Sequence, residues 1–375
     1  MGKEAAQTCS GRRQRTERGP AGRACAGRRR SGKAGRMERL KFIGKRLVTL
    51  LIMLIGVATI VFILTKLVPG DPVTANLSQR SLSDPKIVEA YKARYGLDKP
   101  VIVQYFYYIR NLLRLDLGTS IRTNRPVLEE LKRCYPATME LAIFAILVAA
   151  VFGVLFGIIS ALRRNSVIDQ IVRAISVVGV SIPSFWFALI VLFVFYYKLR
   201  AMPGPGRLSS FYAAPPTVTG FYTIDALLQG NIMKFGDALM HLILPGCVLA
   251  AFTMGLITRT TRSNMLDVMS TDYIRTARAK GAPKRRVVFH HALGNAMIPV
   301  LTVIGLGLGN LLGGMVLVET IFSWPGVGQF AYESVKALDY PSIIGVSLLI
   351  ALNYMVINTI VDILYGVIDP RVRRR

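Results

Sequence analysis

The sequence predicts an all-α integral membrane protein with six transmembrane helices. Three observations lead to this prediction. Hydrophobic residues make up 52% of the 375 residues and charged residues only 18%, whereas soluble domains usually contain about 25% charged residues. The mean hydropathy is +0.44. Six segments are apolar over the about 20 residues that a helix needs to cross the hydrocarbon core of a bilayer.

The six predicted spans follow one another between residues 47 and 367. A basic segment precedes the first span, but its apolar run is longer than that of a signal peptide and no small-residue cleavage site follows, so we expect a retained helix. The approximate bounds are Leu47–Val68, Met139–Leu162, Ala174–Tyr197, Leu239–Thr258, Met297–Val318 and Ile343–Val367.

Residues 1–36 differ in composition from the rest of the chain. They are rich in Arg, Gly and Ala and have almost no large apolar side chain, so they cannot form a core. We expect a disordered basic extension; an arm that binds RNA or anionic lipid, or a true translation start at Met37, is the alternative. Residues 37–375 form the membrane domain, with an outer helical loop over about 69–137 and a core over about 138–375.

Two apparent sites in the sequence are rejected. Gly27–Lys33 fits the start of a phosphate-binding loop, but Ala34 stands where a magnesium-binding hydroxyl is needed, so no nucleotide site is predicted. The four cysteines are scattered, without a partner at metal-ligand spacing, so neither a disulfide nor a metal site is expected. We expect Cys247 to be a small core residue.

The basic residues of the short loops predict the orientation of the chain. Lys and Arg are retained on the cytoplasmic side. They precede the first span, lie between the second and third and between the fourth and fifth, and end the chain as Arg371–Arg375. With six spans, both termini are therefore expected in the cytoplasm. Topology and the basic extension account for most of the net charge of +26, so nucleic-acid binding is not expected.

The loop after the first span is predicted to be structured. It opens on a rigid outer-side turn, because two prolines prevent the helix from continuing; the turn is Pro69, Gly70, Asp71 and Pro72. Residues 84–135 contain amphipathic helical stretches with the aromatic cluster 105–108. We expect a helical cap against the outer leaflet, in which the aromatic residues contact either the bilayer interface or an external partner.

The segment between the fourth and fifth spans predicts two short helices joined by a corner. Thr271 can cap the first helix, Asp272 suits its positive end, and Gly281 supplies the left-handed stop. Pro283 suits the first turn of the second helix. A short helix with small Ala277 and Ala279 on such a corner could enter a groove of another protein and transmit a push to both spans, although a solvated basic loop would have a similar composition.

This segment resembles the EAA loop of bacterial ABC-importer permeases. Gly281 stands at the glycine of that loop and Ala277 at its second alanine, while Arg275 and Thr276 replace the usual Glu and Ala. The run 272–281, DYIRTARAKG, is similar to that of the dipeptide and oligopeptide permeases, as is 291–296, HALGNA, in which Gly294 replaces the usual arginine. The resemblance continues over essentially all of residues 37–375.

The resemblance implies a type I importer transmembrane domain in the bacterial inner membrane, paired with a second permease, two cytoplasmic ATPases and an external substrate-binding protein. The chain itself would bind no cofactor and catalyse no reaction, because ATP and Mg²⁺ would be held by the ATPases. A coupling helix docking on an ATPase is implied over Asp272, Tyr273, Ile274, Arg275, Thr276, Ala277, Arg278, Ala279, Lys280 and Gly281. Dipeptides or oligopeptides are the expected cargo, with nickel chelates or glutathione as alternatives.

Polar and helix-breaking residues within the spans are candidates for a translocation path. A proline removes a backbone hydrogen bond and kinks a helix, and polar side chains in a span favour a hydrated cavity. The candidates are Ser181, Pro183, Ser184, Thr253, Asn310 and Asn353. Glu140, Glu319 and Asp362 are ionisable and have no basic partner in their own spans. The glycines of the second and fifth spans favour close helix packing, or backbone exposed to a pore.

Two functions of other classes are disfavoured. An intramembrane hydrolase would need a serine on a sharp turn, but Ile182 and Pro183 follow Ser181, and His241 lies at the end of a span. A membrane scaffold without transport would not need the corner that Gly281 and Pro283 provide.

Overall fold

Helices make up most of the part of the chain that the structure describes, and no strand lies in that part. The structure is a computed structural model that describes residues 51–64, 82–96 and 98–368 and the single residues 44, 48, 49, 67, 73 and 77. In chain order the helices are α1 (Leu51–Leu64), α2 (Pro85–Tyr95), α3 (Val101–Leu113), α4 (Val127–Leu162), α5 (Val167–Ser181), α6 (Ser184–Val191), α7 (Tyr222–Leu228), α8 (Ile232–Met269), α9 (Asp272–Ala279), α10 (Lys284–Arg286), α11 (Leu293–Gly314), α12 (Val316–Ile321), α13 (Val327–Lys336) and α14 (Tyr340–Ile368).

Helices α2 and α3 lie in the loop where the sequence predicts amphipathic helices. Asp84 caps α2 by accepting a hydrogen bond from the Lys86 N–H at 3.0 Å. Helix α3 has no buried residue, but its aromatic side chains contact α1. The hydroxyls of Tyr105 and Thr59 are 2.7 Å apart, and the Phe62 ring stacks on Tyr108 with 5.7 Å between ring centroids.

The long helices α4 and α8 form the central pair. Both extend well beyond the predicted spans, because hydropathy detects only their apolar parts; α4 already begins at Val127, within the predicted outer loop. The two helices approach closely at Gly153 and Gly157, where an added Cβ would lie 2.7 Å from Ile257 and 2.5 Å from Thr261. This confirms the close-packing interpretation of these glycines. Cys247 of α8 is exposed, so the expectation of a core cysteine was wrong.

Replacing Gly157 by alanine is expected to lower the free energy of unfolding by about 1–3 kcal/mol, because overpacking forces neighbouring atoms to shift. The added Cβ would lie 2.9 Å from the backbone oxygen of Thr258, which cannot rotate away. Gly236→Ala is the matched control in α8, since its added Cβ meets nothing within 4 Å, and it should stabilise the helix by about 0.5–1 kcal/mol. Denaturant unfolding in micelles measures both changes. Equal stability of the two variants would contradict the close approach.

The predicted third span is broken in the middle. Helix α5 ends at Ser181, α6 begins at Ser184, and a π-helical segment, Leu192–Lys198, follows. The two helical pieces are bent by 108°. The break lies at Pro183, as the sequence predicts, because the residue before a proline is driven out of the helical region and Ile182 has φ −77° and ψ 127°. The bend is much sharper than a kink.

Helix α11 packs against both helices of the central pair. A π-helical segment, Val287–Ala292, joins α10 to α11, and α11 packs between α8 and α14. An added Cβ at Gly307 would lie 2.6 Å from Thr253 of α8, and one at Gly305 would overlap with Val361 of α14. These fifth-span glycines therefore serve helix packing, whereas an added Cβ at Gly313 meets nothing within 4 Å.

A buried polar cluster holds the turn between α12 and α13 against α4. The Thr138 hydroxyl of α4 donates to Glu319 at 2.7 Å and accepts from the Val327 N–H at 2.8 Å. The indole N–H of Trp324 donates to the Ala137 carbonyl at 2.9 Å. Glu319 is fully buried, and its other carboxylate oxygen accepts from the Gln329 N–H at 3.0 Å. The cluster fixes the course of the chain between α11 and α14.

The described helices agree with an integral membrane fold. Four are long and apolar enough to cross a bilayer, and the bent pair α5–α6 would make a fifth. Helix α1 is apolar but shorter, over Leu51–Leu64, and some residues on either side of it lie outside the described part. The count of six spans therefore stays a prediction, as does the cytoplasmic placement of both termini.

Candidate functional site: the coupling helix and the broken span

One buried residue anchors the predicted coupling helix, α9, to the rest of the protein. Ile274 is the buried residue of this helix and is 0% exposed. Burial of one isoleucine side chain supplies about 1.5–3 kcal/mol. It belongs to an apolar cluster that joins α9 to the ends of α4 and α8 and to the start of the next helix; we call it the α9 cluster. Its buried members are Ile158, Ala161, Met265, Ile274, Val287, Val288, Ala292 and Ala296.

The rest of α9 faces outward. Of the predicted coupling residues, Ala277 is half-buried and the following are exposed: Asp272, Tyr273, Arg275, Thr276, Arg278, Ala279, Lys280 and Gly281. The ion pair between Arg275 and Asp272, 3.4 Å apart, is itself exposed and contributes little to stability. The helix therefore presents a surface with small side chains and a net positive charge, held from behind by Ile274.

The start of α9 differs in one detail from the prediction. Thr271 occupies the N-cap position with extended dihedral angles, but its side chain makes no capping hydrogen bond. The Thr271 hydroxyl donates instead to the carbonyl of Val268, at 2.6 Å. The expected capping by Thr271 was therefore wrong: its hydroxyl satisfies the last turn of α8 rather than the first turn of α9. Asp272 lies in the first turn of α9, as expected.

The corner after α9 is a Schellman motif. Gly281 has φ +77°, the Gly281 N–H donates to the Arg278 carbonyl at 3.0 Å, and the Ala282 N–H donates to the Ala277 carbonyl at 3.2 Å. This confirms the predicted left-handed stop. Pro283 lies just before α10, as its N-cap, and not within the first turn.

The helix after the corner is not short. It continues from Lys284 to Leu311 as one helix long enough to span a membrane, so the expectation of a second short helix was wrong. The π-helical segment within it widens the helix by one residue per turn without ending it. Asn295 of α11 donates to the Tyr273 hydroxyl of α9 at 2.7 Å. Helix α9 is therefore hydrogen-bonded to the helix that contains the fifth span.

Three translocation-path candidates lie together at the break between α5 and α6. Ser181, Pro183 and Ser184 are all exposed on this chain. Ser181 ends α5 and Ser184 begins α6, so both lie beside backbone groups that leave the helical hydrogen-bond ladder. Backbone of this kind at membrane depth is tolerated where it lines a cavity or is covered by protein. A place on a polar path stays our prediction for these residues.

The other three candidates lie apart from the break. Asn310 of α11 is exposed. Asn353 of α14 accepts a hydrogen bond from the Tyr135 hydroxyl at 2.6 Å and donates to the Leu349 carbonyl at 2.8 Å, so it joins α14 to α4. Thr253 is 2% exposed and lies between α8 and α11. It fits helix packing in this chain better than a cavity wall.

Some of the predicted residues lie outside the part of the chain that the structure describes. The outer-side turn Pro69, Gly70, Asp71 and Pro72 lies outside the described residues. Asp362 lies within α14, but its side chain is not among those described. In the described ranges no three His, Cys, Asp or Glu side chains come together as a metal site.

Two ion pairs that involve buried carboxylates were not predicted from the sequence. Asp169 of α5 is bound by Arg262 of α8 with two hydrogen bonds of 2.8 Å. Glu140 of α4 is bound by Arg207, which lies in the loop before α7 and is itself 7% exposed. Each pair joins elements that are distant in sequence. The signal that could have found them is an ionisable residue in or beside a span, which needs a partner from elsewhere in the chain.

The loop before α7 is also held by the buried carboxylate of Asp225. It accepts hydrogen bonds from the backbone N–H groups of Thr219 at 2.8 Å and Gly220 at 2.9 Å, and from the Thr219 hydroxyl at 2.7 Å. Burial acts to raise the pKa of this carboxyl, but the donors outweigh burial and hold the pKa below its usual range. The Asp225 carboxyl is therefore ionised at neutral pH and accepts the hydrogen bonds that hold the loop carrying Arg207.

Comparison with known proteins shows the same family over nearly all of this chain. A family model described as "Binding-protein-dependent transport system inner membrane component" matches residues 153–374, and the corresponding N-terminal model matches residues 39–142. The probable D,D-dipeptide transport system permease protein DdpB of Escherichia coli (strain K12) is 47% identical over 325 residues, which are 87% of this chain and 95% of that protein.

Two further relatives show similar coverage. The di/tripeptide transport system permease protein DppB of Pseudomonas aeruginosa (strain UCBPP-PA14) is 46% identical over 336 residues, 90% of this chain and 99% of that protein. The oligopeptide transport system permease protein AppB of Bacillus subtilis (strain 168) is 39% identical over 336 residues, 88% of this chain and 98% of that protein. The resemblance inferred from residues 272–281 is confirmed. The chain belongs to the inner membrane components of binding-protein-dependent transport systems, and is an α-helical, multi-pass membrane protein of that family.

Proposed function

We propose that the protein is the membrane-spanning permease of an ATP-driven importer of dipeptides or oligopeptides. The relatives named above are permeases for dipeptides, di/tripeptides and oligopeptides, which supports a peptide cargo. A substrate-binding protein delivers the peptide on the outer side. A second, similar permease completes the channel, and two cytoplasmic ATPases hold ATP and Mg²⁺, for which this chain has no proposed site.

The observation that carries this proposal is the way in which α9 is attached to the helices on either side of it. Ile274 is the buried residue of this helix, Ala277 is half-buried and its other residues are exposed. The helix lies between α8 and the helix that continues into α11. A helix mounted in this way can enter a groove on an ATPase and move both spans with it. ATP binding and hydrolysis would then bias the channel between two states, one open to each side. Six spans and cytoplasmic termini are part of this proposal.

Uptake by the reconstituted transporter tests the proposal. Residues 37–375 would be co-expressed with the second permease, the ATPases and the binding protein from neighbouring genes, purified and placed in liposomes. We expect ATP-dependent accumulation of a labelled dipeptide, abolished when the binding protein is omitted. Parallel arms offer labelled glutathione and a nickel chelate.

The arms separate the parts of the proposal. ATP hydrolysis with accumulation of glutathione or nickel instead of peptide would contradict the proposed peptide cargo, while the proposed function as an importer would still hold. Failure of any ATPase to bind the purified permease pair would overturn the coupling role of α9.

A further inference from the structure

The carboxylate of Asp169 connects three helices at the same end of the bundle as α9. It is 0% exposed and lies in the first turn of α5. The Arg262 guanidinium of α8 binds it through two parallel hydrogen bonds, Nε to Oδ1 and Nη2 to Oδ2, each 2.8 Å long. The Ser160 hydroxyl of α4 donates to Oδ1, and the Asn165 backbone N–H donates to Oδ2 at 3.0 Å.

This connection lies directly beside the α9 cluster. Ser160 precedes Ala161, a buried member of that cluster, and Arg262 lies one helical turn before Met265, another member. Ile274, which anchors α9, belongs to the same cluster. The residues that hold the ion pair on α4 and α8 thus neighbour members of the cluster that anchors α9. Packed cores shift as units rather than deforming continuously, so a displacement of α9 would be passed on to these residues.

Close backbone contacts continue from the ion pair towards the break. An added Cβ at Gly255 of α8 would lie 2.6 Å from the backbone oxygen of Ser176 in α5, and one at Gly179 of α5 would lie 3.0 Å from that of Ala251. Together with the ion pair, these contacts hold α5 against α8 from Asp169 to within one turn of Ile182. There the direction of the chain changes by 108° into α6.

The ion pair is better explained by geometry than by stability. Burying an ion pair costs both charges their hydration. A protein in which well-packed apolar residues replace such a pair is therefore often equally stable. The fork of an arginine bound to both oxygens of a carboxylate, however, fixes both distance and direction. A second cation, Arg173, lies 3.7 Å from Asp169 Oδ1, but it belongs to α5 itself and cannot connect α5 to α8.

We propose that Asp169 and Arg262 are positioning residues for transport: their bidentate pair makes α5 move with α8 when α9 is displaced, and so carries the displacement to the break between α5 and α6. This inference rests on the proposed function, in which α9 docks on an ATPase. It predicts that loss of the pair separates ATP hydrolysis from transport.

The test compares Arg262→Gln with Arg173→Gln in the complete reconstituted transporter. Each variant removes one positive charge beside the same carboxylate, but only the first removes the link between α5 and α8. The measurement is the number of labelled dipeptides imported per ATP hydrolysed. We expect this ratio to fall at least about fivefold in Arg262→Gln, the lower range of typical coupling between sites, with ATP hydrolysis retained, and to be unchanged in Arg173→Gln.

A conservative variant keeps the test decisive if Arg262→Gln does not assemble. Arg262→Lys retains the charge but replaces the fork by a single point contact, so we expect an assembled transporter with an intermediate ratio. An unchanged ratio in an assembled Arg262→Lys or Arg262→Gln transporter would overturn the inference, as would an equal loss in Arg173→Gln.

A second measurement does not depend on the cargo. Spin labels at Ser270, before α9, and at Phe185, after the break, would be introduced into a chain whose native cysteines have been replaced. Because the pair makes α5 move with α8, we expect ATP binding to change the distance between the labels less in the wild-type background than in Arg262→Gln, where α8 can move without α5 and the break. A larger change in Arg262→Gln than in the wild type would support the positioning inference, and if no peptide is imported alongside that difference, the cargo proposal alone has failed. Equal changes in the two backgrounds would overturn the positioning inference.

Discussion

Replacing Gly281 by valine is expected to lower peptide uptake by the assembled transporter at least about fivefold. Gly281 has φ +77°, where a residue with a Cβ costs about 1–2 kcal/mol and a β-branched residue is a genuine outlier. A cost of this size changes a population by a factor of about 5–30. The cost comes from backbone strain, because an added Cβ at Gly281 meets nothing within 4 Å. The corner would relax and the exposed face of α9 would turn away from its partner.

Gly281→Asn is the matched control for this prediction. Asparagine tolerates the left-handed conformation, and the open space around Gly281 accommodates its side chain. We expect the asparagine variant to retain most of the uptake, and the valine variant to assemble with the second permease but to bind the ATPases weakly. Uptake and co-purification of the ATPases measure the two effects. Normal uptake by the valine variant would show that the geometry of this corner does not matter for coupling.

Several features that local sequence determines were predicted correctly, although the capping of α9 by Thr271 was not. The glycine stop of α9 and the break at Pro183 follow from backbone restrictions of single residues, which act whatever surrounds them. The close packing at Gly153 and Gly157 was also predicted, because two small residues four apart leave one face of a helix bare. Each of these features needs only its own segment of chain.

Features that depend on two distant segments were missed. Asp169 and Arg262 are 93 positions apart, and the sequence around either residue does not indicate that the other is its partner. The 108° angle at Pro183 is set by the helices against which α5 and α6 pack, whereas the proline decides only where the break lies. Thr253 shows the same limit. A threonine in a span looks the same in the sequence whether its side chain faces a hydrated cavity or packs against a glycine of the next helix.

Replacing Trp324 by alanine is expected to have the largest effect on stability, a loss of about 3–5 kcal/mol in the free energy of unfolding. Trp324 is 1% exposed, belongs to the main apolar core between α4, α8 and α11, and donates to the Ala137 carbonyl. Its removal leaves a cavity beside Glu319, a carboxylate that is already fully buried. The turn between α12 and α13 would then lose its contact with α4.

Trp186 provides the control, because the chain has two tryptophans and Trp186 is 50% exposed on α6. Trp186→Ala removes the same side chain without opening a buried cavity, so its effect should be within about 0.5 kcal/mol. Each single variant also leaves one tryptophan as a fluorescent reporter. Denaturant unfolding in micelles then gives both free energies, and Trp324 should emit at shorter wavelength than Trp186 in the folded protein. If Trp186→Ala destabilises the protein as much as Trp324→Ala does, the turn that carries Trp324 does not close the core as the structure has it.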